Sequence, residues 1–308
     1  MRYNFGNIID TLKESIVYES DFILGRKPTN IIFHGFGIEQ VSGLILESII
    51  PNSKAICSEK IEKEVDRNAL IIIFSFNGCE DSQDFYRSCI RKGLEVVFLS
   101  RNPKIKELCK INKSKFIELP DIKHKELLFL YEALSVINLA IQNNLCEKLE
   151  LKELIATISK INFDSLIERF KEKILEKNVA FITTAKARNI AHSWKIFFNK
   201  LAREDVLLED FPNVFYYNLE NLNKKDIIIF FITYDESSLT KRKVKHARDL
   251  LKIQSTEVSI KGNSIIYKTL VPILLGFLVS VELFYEKRPN DNPFESKDFE
   301  SFTNNRFF

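Results

Sequence analysis

Residues 69–79 have the sequence ALIIIFSFNGC, and residues 226–234 have the sequence DIIIFFITY. Each stretch contains an almost unbroken apolar run rich in β-branched residues, which is typical of a strand buried on both faces of a parallel sheet. Each is followed by polar turn residues and then by a helical pattern, over 80–92 in the first case and 236–252 in the second. The two stretches predict the central strands of two α/β units.

Shorter apolar runs flank both central strands and alternate with helical patterns, as in βαβ units. The predicted strands are 30–34, 55–57, 69–76, 95–100 and 115–119 in the first half, and 178–184, 214–218, 226–234 and 257–260 in the second. The predicted helices are 37–50, 80–92, 103–110, 124–144, 149–177, 187–203, 236–252 and 265–287. The order of elements in the first half therefore recurs in the second, which indicates an internal duplication.

This order predicts an α/β fold with two doubly wound, flavodoxin-like parallel-sheet domains in tandem, each a three-layer sandwich. We expect a first domain over 1–150 with an N-terminal helix, a second over 151–287 that begins with a helical linker, and a tail over 288–308. Ligands of such sheets bind beyond the carboxyl ends of the strands. The turns to inspect are those that follow His34, Phe76, Thr184 and Tyr234.

The composition argues against several classes of protein. With 45 basic and 42 acidic side chains, the formal net charge is only +3, so neither nucleic acid nor an anionic membrane is expected as the main partner. The five cysteines form no CxxC pair and the four histidines lie far apart, so we expect reduced thiols, no metal site and no cofactor.

The longest apolar run, over 270–284, contains Pro272, Gly276 and Glu282 and is short for a membrane span. It therefore predicts a buried helix. The first 21 residues contain no apolar segment of the kind found in signal peptides. We expect a cytoplasmic protein.

Four phrases near the predicted turns carry a resemblance to a known family. They are IIFHGFGIEQVSG (31–43), IIIFSFNGCEDS (71–82), AFITTAKARNIAHSWKIFFNKLA (180–202) and FPNVFYYNLEN (211–221). Together they resemble the archaeal bifunctional phosphoglucose/phosphomannose isomerases, which consist of two sugar-isomerase (SIS) domains. The resemblance covers nearly the whole chain in order and length. It implies two SIS-type domains, a sugar-phosphate ligand and a homodimer.

In this family, a turn of the form GxGGSG and a second turn of the form SYSGNTxET hold the sugar phosphate. The candidate pocket residues at the matching positions are Gly35, Gly37, Glu39, Ser75, Asn77, Gly78 and Glu80. Two of these are carboxylates, and a carboxylate about 5 Å from a phosphate dianion costs several kcal/mol at an effective dielectric constant of about 20. We therefore expect Glu39 and Glu80, each in a first helical turn, to satisfy the helix donors and dipoles themselves.

Isomerisation of an aldose to a ketose needs a base that moves a proton between C1 and C2 of the open sugar. The resemblance places Lys200 at the position of the family's catalytic glutamate and Tyr216 (or Tyr217, with a one-residue deletion) at that of the histidine. Thr303 takes the position of the lysine, and Ser296 that of an active-site threonine. The family's active-site arginine has no counterpart around 124–126. The catalytic side chains of the family are thus not retained.

Three hypotheses follow for the function. The first is a catalytically inactive SIS-type protein that binds a sugar-phosphate-related metabolite or a partner and acts in regulation or assembly. The second is an active sugar-phosphate isomerase with a shifted site, which would use the retained Gly35, Gly37, Ser75, Gly78, Glu220 and Ser296. The third is nucleic-acid binding through the basic run 241–248, although its spacing also fits the solvated face of an amphipathic helix. The five phenylalanines of the tail after residue 293 offer apolar anchors for packing on the body or on a partner.

Overall fold

A computed structural model describes residues 3–17, 23–24, 26–62, 64–147, 151–213, 227–251, 255–262 and 264–294. These residues form two compact units, one over 4–159 and one that joins Tyr3 to residues 160–293. We call them the first and the second domain. The division lies nine residues after the predicted boundary at residue 150, because helix α6 (Leu151–Ile158) packs against helix α1 (Phe5–Val17) of the first domain.

The sheet of the first domain has five parallel strands in the order β2-β1-β3-β4-β5. Their bounds are β1 Ile31–His34, β2 Ser53–Ile56, β3 Leu70–Phe74, β4 Glu95–Ser100 and β5 Lys115–Glu118. The strand β3 is buried along its whole length, as its apolar run predicts. The chain passes from β1 outward to β2, and then returns to β3 on the other side of β1. The topological switch point of this sheet therefore lies between β1 and β3.

Both faces of this sheet are covered by helices. Helices α3 (Glu80–Arg91) and α4 (Pro103–Ile111) bury side chains such as Phe85 and Ile105 on one face, against Ile73 and its neighbours. Helix α2 (Glu39–Ile49) contacts the sheet and packs against α5 (Leu128–Gln142), which in turn contacts α1. This is the predicted doubly wound sandwich.

The sheet of the second domain has four described parallel strands in the order β7-β6-β8-β9. Their bounds are β6 Asn178–Thr183, β7 Val206–Asp210, β8 Ile227–Tyr234 and β9 Ser255–Ile260. The switch point lies between β6 and β8, which corresponds to its place between β1 and β3 in the first domain. The strand β7 was not predicted, because its short apolar run stands next to acidic residues. The predicted strand over 214–218 lies outside the described residues.

The predicted helix over 149–177 is in fact two helices, α6 and α7 (Phe163–Ile174). The break is stabilised by Asn162, whose side-chain oxygen accepts the backbone N–H of Ser165 at 3.1 Å and so caps α7. The predicted helix over 187–203 is the α-helix α8 (Arg188–Phe197), which continues as a π-helical turn over Phe198–Ala202.

Helix α10 (Ile265–Lys287) has the predicted bounds and packs against α7 and α8. Pro272 of α10 accepts the indole N–H of Trp194 at 2.7 Å, and a Cβ atom at Gly276 would come within 2.5 Å of the same ring. Within the described ranges, α10 is long and apolar enough to cross a membrane, but 78% of its most apolar window is buried inside the protein. That degree of burial is typical of the core helix of a soluble domain.

The basic run lies on helix α9 (Ser238–Leu251). Val244 and Ala247 pack on the sheet, whereas the side chains at 241–243, 245 and 246 are exposed. The helix is therefore amphipathic, with a solvated basic face.

Candidate functional site

The first crevice lies at the switch point between β1 and β3. There the turn from Gly35 to Ile38 connects β1 to α2, and the loop from Ser75 to Cys79 connects β3 to α3. Helix α2 begins at Glu39, as expected for an acidic residue near a helix N-terminus. The first turn of α2 lies so close to Gly35 that a Cβ atom there would approach the Glu39 carbonyl to 2.9 Å.

The Glu39 side chain crosses this crevice. Its carboxylate accepts the backbone N–H of Phe76, in the opposite loop, at 2.7 Å. The residue as a whole is half-buried, but its carboxyl group is enclosed, and burial raises its pKa to about 8 although the Phe76 N–H opposes the rise. A backbone donor of the kind that holds a phosphate is thus already occupied by a group of the protein.

A second carboxyl group, that of Glu132 in α5, lies beside the first. Glu132 is fully buried, and its Oε2 accepts the hydroxyl of Ser42 at 2.6 Å. Its Oε1 has no hydrogen-bond partner within the described ranges. Burial and the negative charge of Glu39 raise the pKa of Glu132 well above its usual range, against the effect of the Ser42 hydroxyl. Because two buried carboxylates repel each other, the pair retains at least one proton at neutral pH.

Ser75 organises the loop that follows β3. Its hydroxyl oxygen accepts the backbone N–H of Cys79 at 3.0 Å, and the thiol of Cys79 lies 3.0 Å from the hydroxyl of Ser82. Ser75 thus holds Cys79, the residue that precedes α3, and among the described residues no side-chain hydrogen bond caps the N-terminus of this helix. Glu80 occupies the first position of α3, as predicted, but it is exposed and no hydrogen bond to its side chain occurs among the described residues.

Gly78 and Asn77 complete the same loop. Gly78 has a φ of 67°, and a Cβ atom at this position would lie 2.5 Å from Ile105, so both backbone conformation and space require glycine. The side chain of Asn77 is exposed, and the backbone carbonyl oxygen of Asn77 accepts the side-chain amide of Asn102 at 2.7 Å. Gly37, in the first turn, also has a positive φ, of 60°. The retained glycines thus preserve the shape of the loops.

His34 ends β1 and is almost completely buried. Its Nε2 lies 2.9 Å from the carbonyl oxygen of Ser58, to which it donates, and its ring stacks on Phe85 with 3.7 Å between the ring centroids. Burial lowers the pKa of the imidazole to about 4, although the Ser58 carbonyl opposes the shift. His34 is therefore a neutral, hydrogen-bonded core side chain at physiological pH.

The second crevice lies at the switch point between β6 and β8. The hydroxyl of Thr184, which follows β6, donates to Glu236 Oε1 at 2.5 Å. The same oxygen accepts the backbone N–H of Tyr234, at the end of β8, at 3.4 Å. A carboxylate therefore bridges the two loops here as well, but it comes from the loop after the central strand.

Cationic side chains surround this second bridge. Lys186 is exposed and donates to the carbonyl oxygen of Asp235 at 3.1 Å, and Lys268 forms an ion pair with the Asp235 carboxylate. The side chain of Ser237 accepts the backbone N–H of Thr240 at 3.2 Å at the start of α9. The ion pair with Lys268 lowers the pKa of Asp235. This crevice thus offers positive charge and hydroxyl groups near a helix N-terminus.

Of the remaining predicted site residues, the structure describes Lys200, which is not among the groups of either crevice. Lys200 lies in the π-helical turn after α8, where it is half-buried. Tyr216, Ser296 and Thr303 lie outside the described residues. No set of three or more histidine, cysteine, aspartate or glutamate side chains that could hold a metal ion occurs in the described part of the chain.

Sequence reasoning did not identify Glu132 or Glu236 as site residues. For Glu132 the available signal was a single acidic residue in the otherwise apolar helix α5. Such a residue costs free energy in a core unless it is neutral or hydrogen-bonded, so its position was informative. For Glu236 the signal was its place just after the central strand β8, at the edge of the sheet where ligands bind.

Known structures share this architecture. A protein from Clostridium difficile 630 that is provisionally named a phosphosugar isomerase aligns over 96% of this chain and 95% of its own, with a TM-score of 0.68 and 15% identity. Glucosamine-6-phosphate deaminase from Thermotoga maritima aligns over 94% and 95%, with a TM-score of 0.65 and 11% identity.

The C-terminal domain of glucosamine-fructose-6-phosphate aminotransferase from Francisella tularensis aligns over 92% and 97%, with a TM-score of 0.65 and 12% identity. No protein-family model and no curated protein sequence matches the chain. Identities this low show the fold alone, and the specific resemblance to the archaeal phosphoglucose/phosphomannose isomerases is not tested by them. The chain has the two-sheet α/β fold of the SIS-type phosphosugar isomerases.

Proposed function

We propose that this chain is a non-catalytic SIS-type protein that binds a sugar-phosphate-related metabolite and acts in regulation or assembly. The observation that carries the proposal is the bond from the Phe76 N–H to the Glu39 carboxylate. It occupies the first crevice with a negatively charged or proton-sharing group of the protein itself, beside the buried Glu132. A phosphate would have to displace this enclosed side chain to reach the Phe76 N–H, so the crevice does not offer a set of free donors.

The second crevice is the better place for an anionic ligand. Lys186 supplies positive charge, Lys268 balances the Asp235 carboxylate, and the N-terminus of α9 adds its dipole. A phosphate beside Lys186 would replace the contact with a neutral carbonyl by an ion pair in which both partners are charged. We propose that the phosphate of the ligand binds to Lys186, with the sugar towards Thr184.

The test is thermal unfolding of the full chain with fructose 6-phosphate, glucose 6-phosphate and mannose 6-phosphate. A ligand at about 100 times its dissociation constant stabilises the folded state by about 2.7 kcal/mol, which raises the midpoint by several degrees. We expect a shift that is lost in Lys186→Ala and kept in Lys104→Ala, which removes an exposed lysine from α4. An equal shift in both variants would contradict the assignment of the second crevice.

A second candidate function is an isomerase with a shifted site. It is favoured by the raised pKa of Glu39, because a carboxyl group that titrates near neutral pH is suited to proton transfer. We expect no interconversion of fructose 6-phosphate with glucose 6-phosphate or mannose 6-phosphate by the wild-type chain. Turnover that is abolished by Glu39→Gln and by Glu132→Gln would replace the first proposal by this one.

Two further expectations accompany the proposal. We propose that the protein is cytoplasmic and that it forms a homodimer, as implied by the resemblance to double SIS-domain enzymes. Sedimentation of the full chain measures the dimer directly.

Nucleic-acid binding through the exposed face of α9 remains the weaker alternative, since that face is also what an amphipathic helix presents to solvent.

A further inference from the structure

Among the described residues, the last strand of the second sheet, β9, pairs with another strand on one edge only. In the first domain β5 lies outside β4, so its sheet has five strands, whereas the described sheet of the second domain ends at β9. The chain passes from β9 into α10 within a few residues. Within the described ranges, no backbone hydrogen bond joins the outer edge of β9 to another element. An edge of this kind presents alternate N–H and C=O groups that a further strand can pair with.

A groove of about 410 Å³ lies along this edge, between β9, α7 and α10. Its walls include the apolar side chains of Phe170, Val258, Tyr267 and Leu275. A volume of this size accommodates several side chains or a small ligand. The apolar wall next to a free strand edge suits a segment whose side chains alternate between the groove and solvent.

Three basic side chains line the same groove. They are Arg169 and Lys173 of α7 and Lys261, which follows β9. Lys173 donates to the hydroxyl of Thr256 at 2.9 Å, and within the described part of the chain none of the three forms an ion pair. The one lining carboxylate, Glu257, is held by Arg248 at 3.3 Å.

We propose that this groove binds an extended, acidic peptide segment of a partner protein, which adds to β9 as a fifth strand. The backbone edge supplies the main-chain hydrogen bonds, and the basic residues select acidic side chains. The apolar wall takes the alternate side chains of the segment. This inference is independent of the proposed sugar-phosphate site, which lies at the carboxyl ends of β6 and β8.

The experiment uses a fluorescein-labelled octapeptide of alternating glutamate and valine, titrated with the full chain and followed by fluorescence polarisation. A peptide of alternating lysine and valine tests charge, and the acidic peptide methylated at alternate backbone nitrogens tests strand pairing. We expect the acidic peptide to bind about tenfold more tightly than either, which corresponds to about 1.4 kcal/mol. We also expect the double variant R169E/K173E to bind the acidic peptide about tenfold more weakly than the wild type does.

The matched control is K104E/K110E, which reverses two exposed charges on α4 of the first domain and should leave binding unchanged. Circular dichroism checks that both double variants are folded. Equal binding of all three peptides, or unchanged binding by R169E/K173E, would overturn the proposal. A dimer in sedimentation that R169E/K173E dissociates, together with no binding of the acidic peptide, would also overturn it and assign the groove to a second copy of this chain.

Discussion

The crevices of the two domains are bridged in the same way but in opposite directions. In the first domain Glu39, after β1, reaches the backbone of Phe76 after β3. In the second domain Glu236, after the central strand β8, reaches Thr184 after β6. The loops at a topological switch point diverge and leave backbone donors exposed, and in both domains a carboxylate of the protein satisfies a donor there.

The charge around the two bridges differs. Glu39 lies beside Glu132, whose pKa is raised by burial and, in addition, by the negative charge of Glu39. Glu236 lies in a loop with Asp235, which Lys268 neutralises. Above about pH 8, where Glu39 is ionised, the first bridge is therefore held against electrostatic repulsion, whereas the second bridge lies in a balanced environment. The same bridging geometry is thus built beside a buried carboxyl group in one domain and among cationic side chains in the other.

The largest expected effect is on the first bridge. The folded state keeps the proton of Glu39 up to about pH 8, whereas the unfolded chain loses it near 4.5, so the free energy of unfolding falls as the pH rises through this interval. Glu39→Gln keeps an oxygen acceptor for Phe76 and has no proton to lose. We expect the variant to be more stable than the wild type above this interval by about 2 kcal/mol or more.

Urea unfolding on both sides of the interval measures this effect. The control is Glu80→Gln, which changes an exposed carboxylate of the same domain and should keep the wild-type pH dependence. If Glu39→Gln kept that dependence too, the first bridge would not be the electrostatically strained one.

A second effect concerns the strand ends, where β1 ends in His34 and β6 in Thr183. His34 stays neutral down to about pH 4 when folded but gains a proton below 6.5 when unfolded, so stability falls as the pH falls through this interval. We expect His34→Gln to lessen this fall by roughly 1–3 kcal/mol, as measured by urea unfolding at acidic pH. The control His246→Gln, at an exposed position of α9, should leave the fall in stability at acidic pH unchanged. An equal fall in stability at acidic pH in both variants would contradict the assignment of this effect to His34.

Removal of the carboxylate of the second bridge should lower the free energy of unfolding, which is the opposite of the effect expected for the first bridge. Glu236→Ala removes the acceptor of the Thr184 hydroxyl and relieves no comparable repulsion, so we expect a loss of about 1–2 kcal/mol in unfolding free energy. Glu172→Ala, at an exposed position of α7, is the matched control and should change little. A stabilising effect of Glu236→Ala would show that the two bridges are alike.

The smallest effect is expected for Lys268→Ala, which breaks the ion pair with the half-exposed Asp235. We expect a small loss in the free energy of unfolding that diminishes as salt is added, because solvent and ions screen a pair of this kind. Thermal unfolding at low and high salt measures it, with Lys243→Ala on the exposed face of α9 as the control. A loss that salt does not change would indicate a packing role for the lysine stem.

Most of the fold was predictable from the sequence, because buried parallel strands such as β3 and β8 are continuous apolar runs. The short edge strand β7 was missed, since its residues are only partly buried and end in Glu209 and Asp210. The loops of the crevices were predictable from strand order alone. Which carboxylate crosses a loop depends on side-chain packing between distant segments, as with the buried Glu132, and no local pattern encodes it.

The π-helical turn over Phe198–Ala202 affects how this chain can be aligned with others. Such a turn accommodates one residue more than an α-helix of the same length, and each residue of an α-helix advances the side-chain direction by about 100°. Lys200 lies inside this turn, so the residue that matches it by number in a regular helix faces another direction. Equivalence in this segment has to be judged by position in space, and a variant lacking one residue of the turn is the natural way to restore the register.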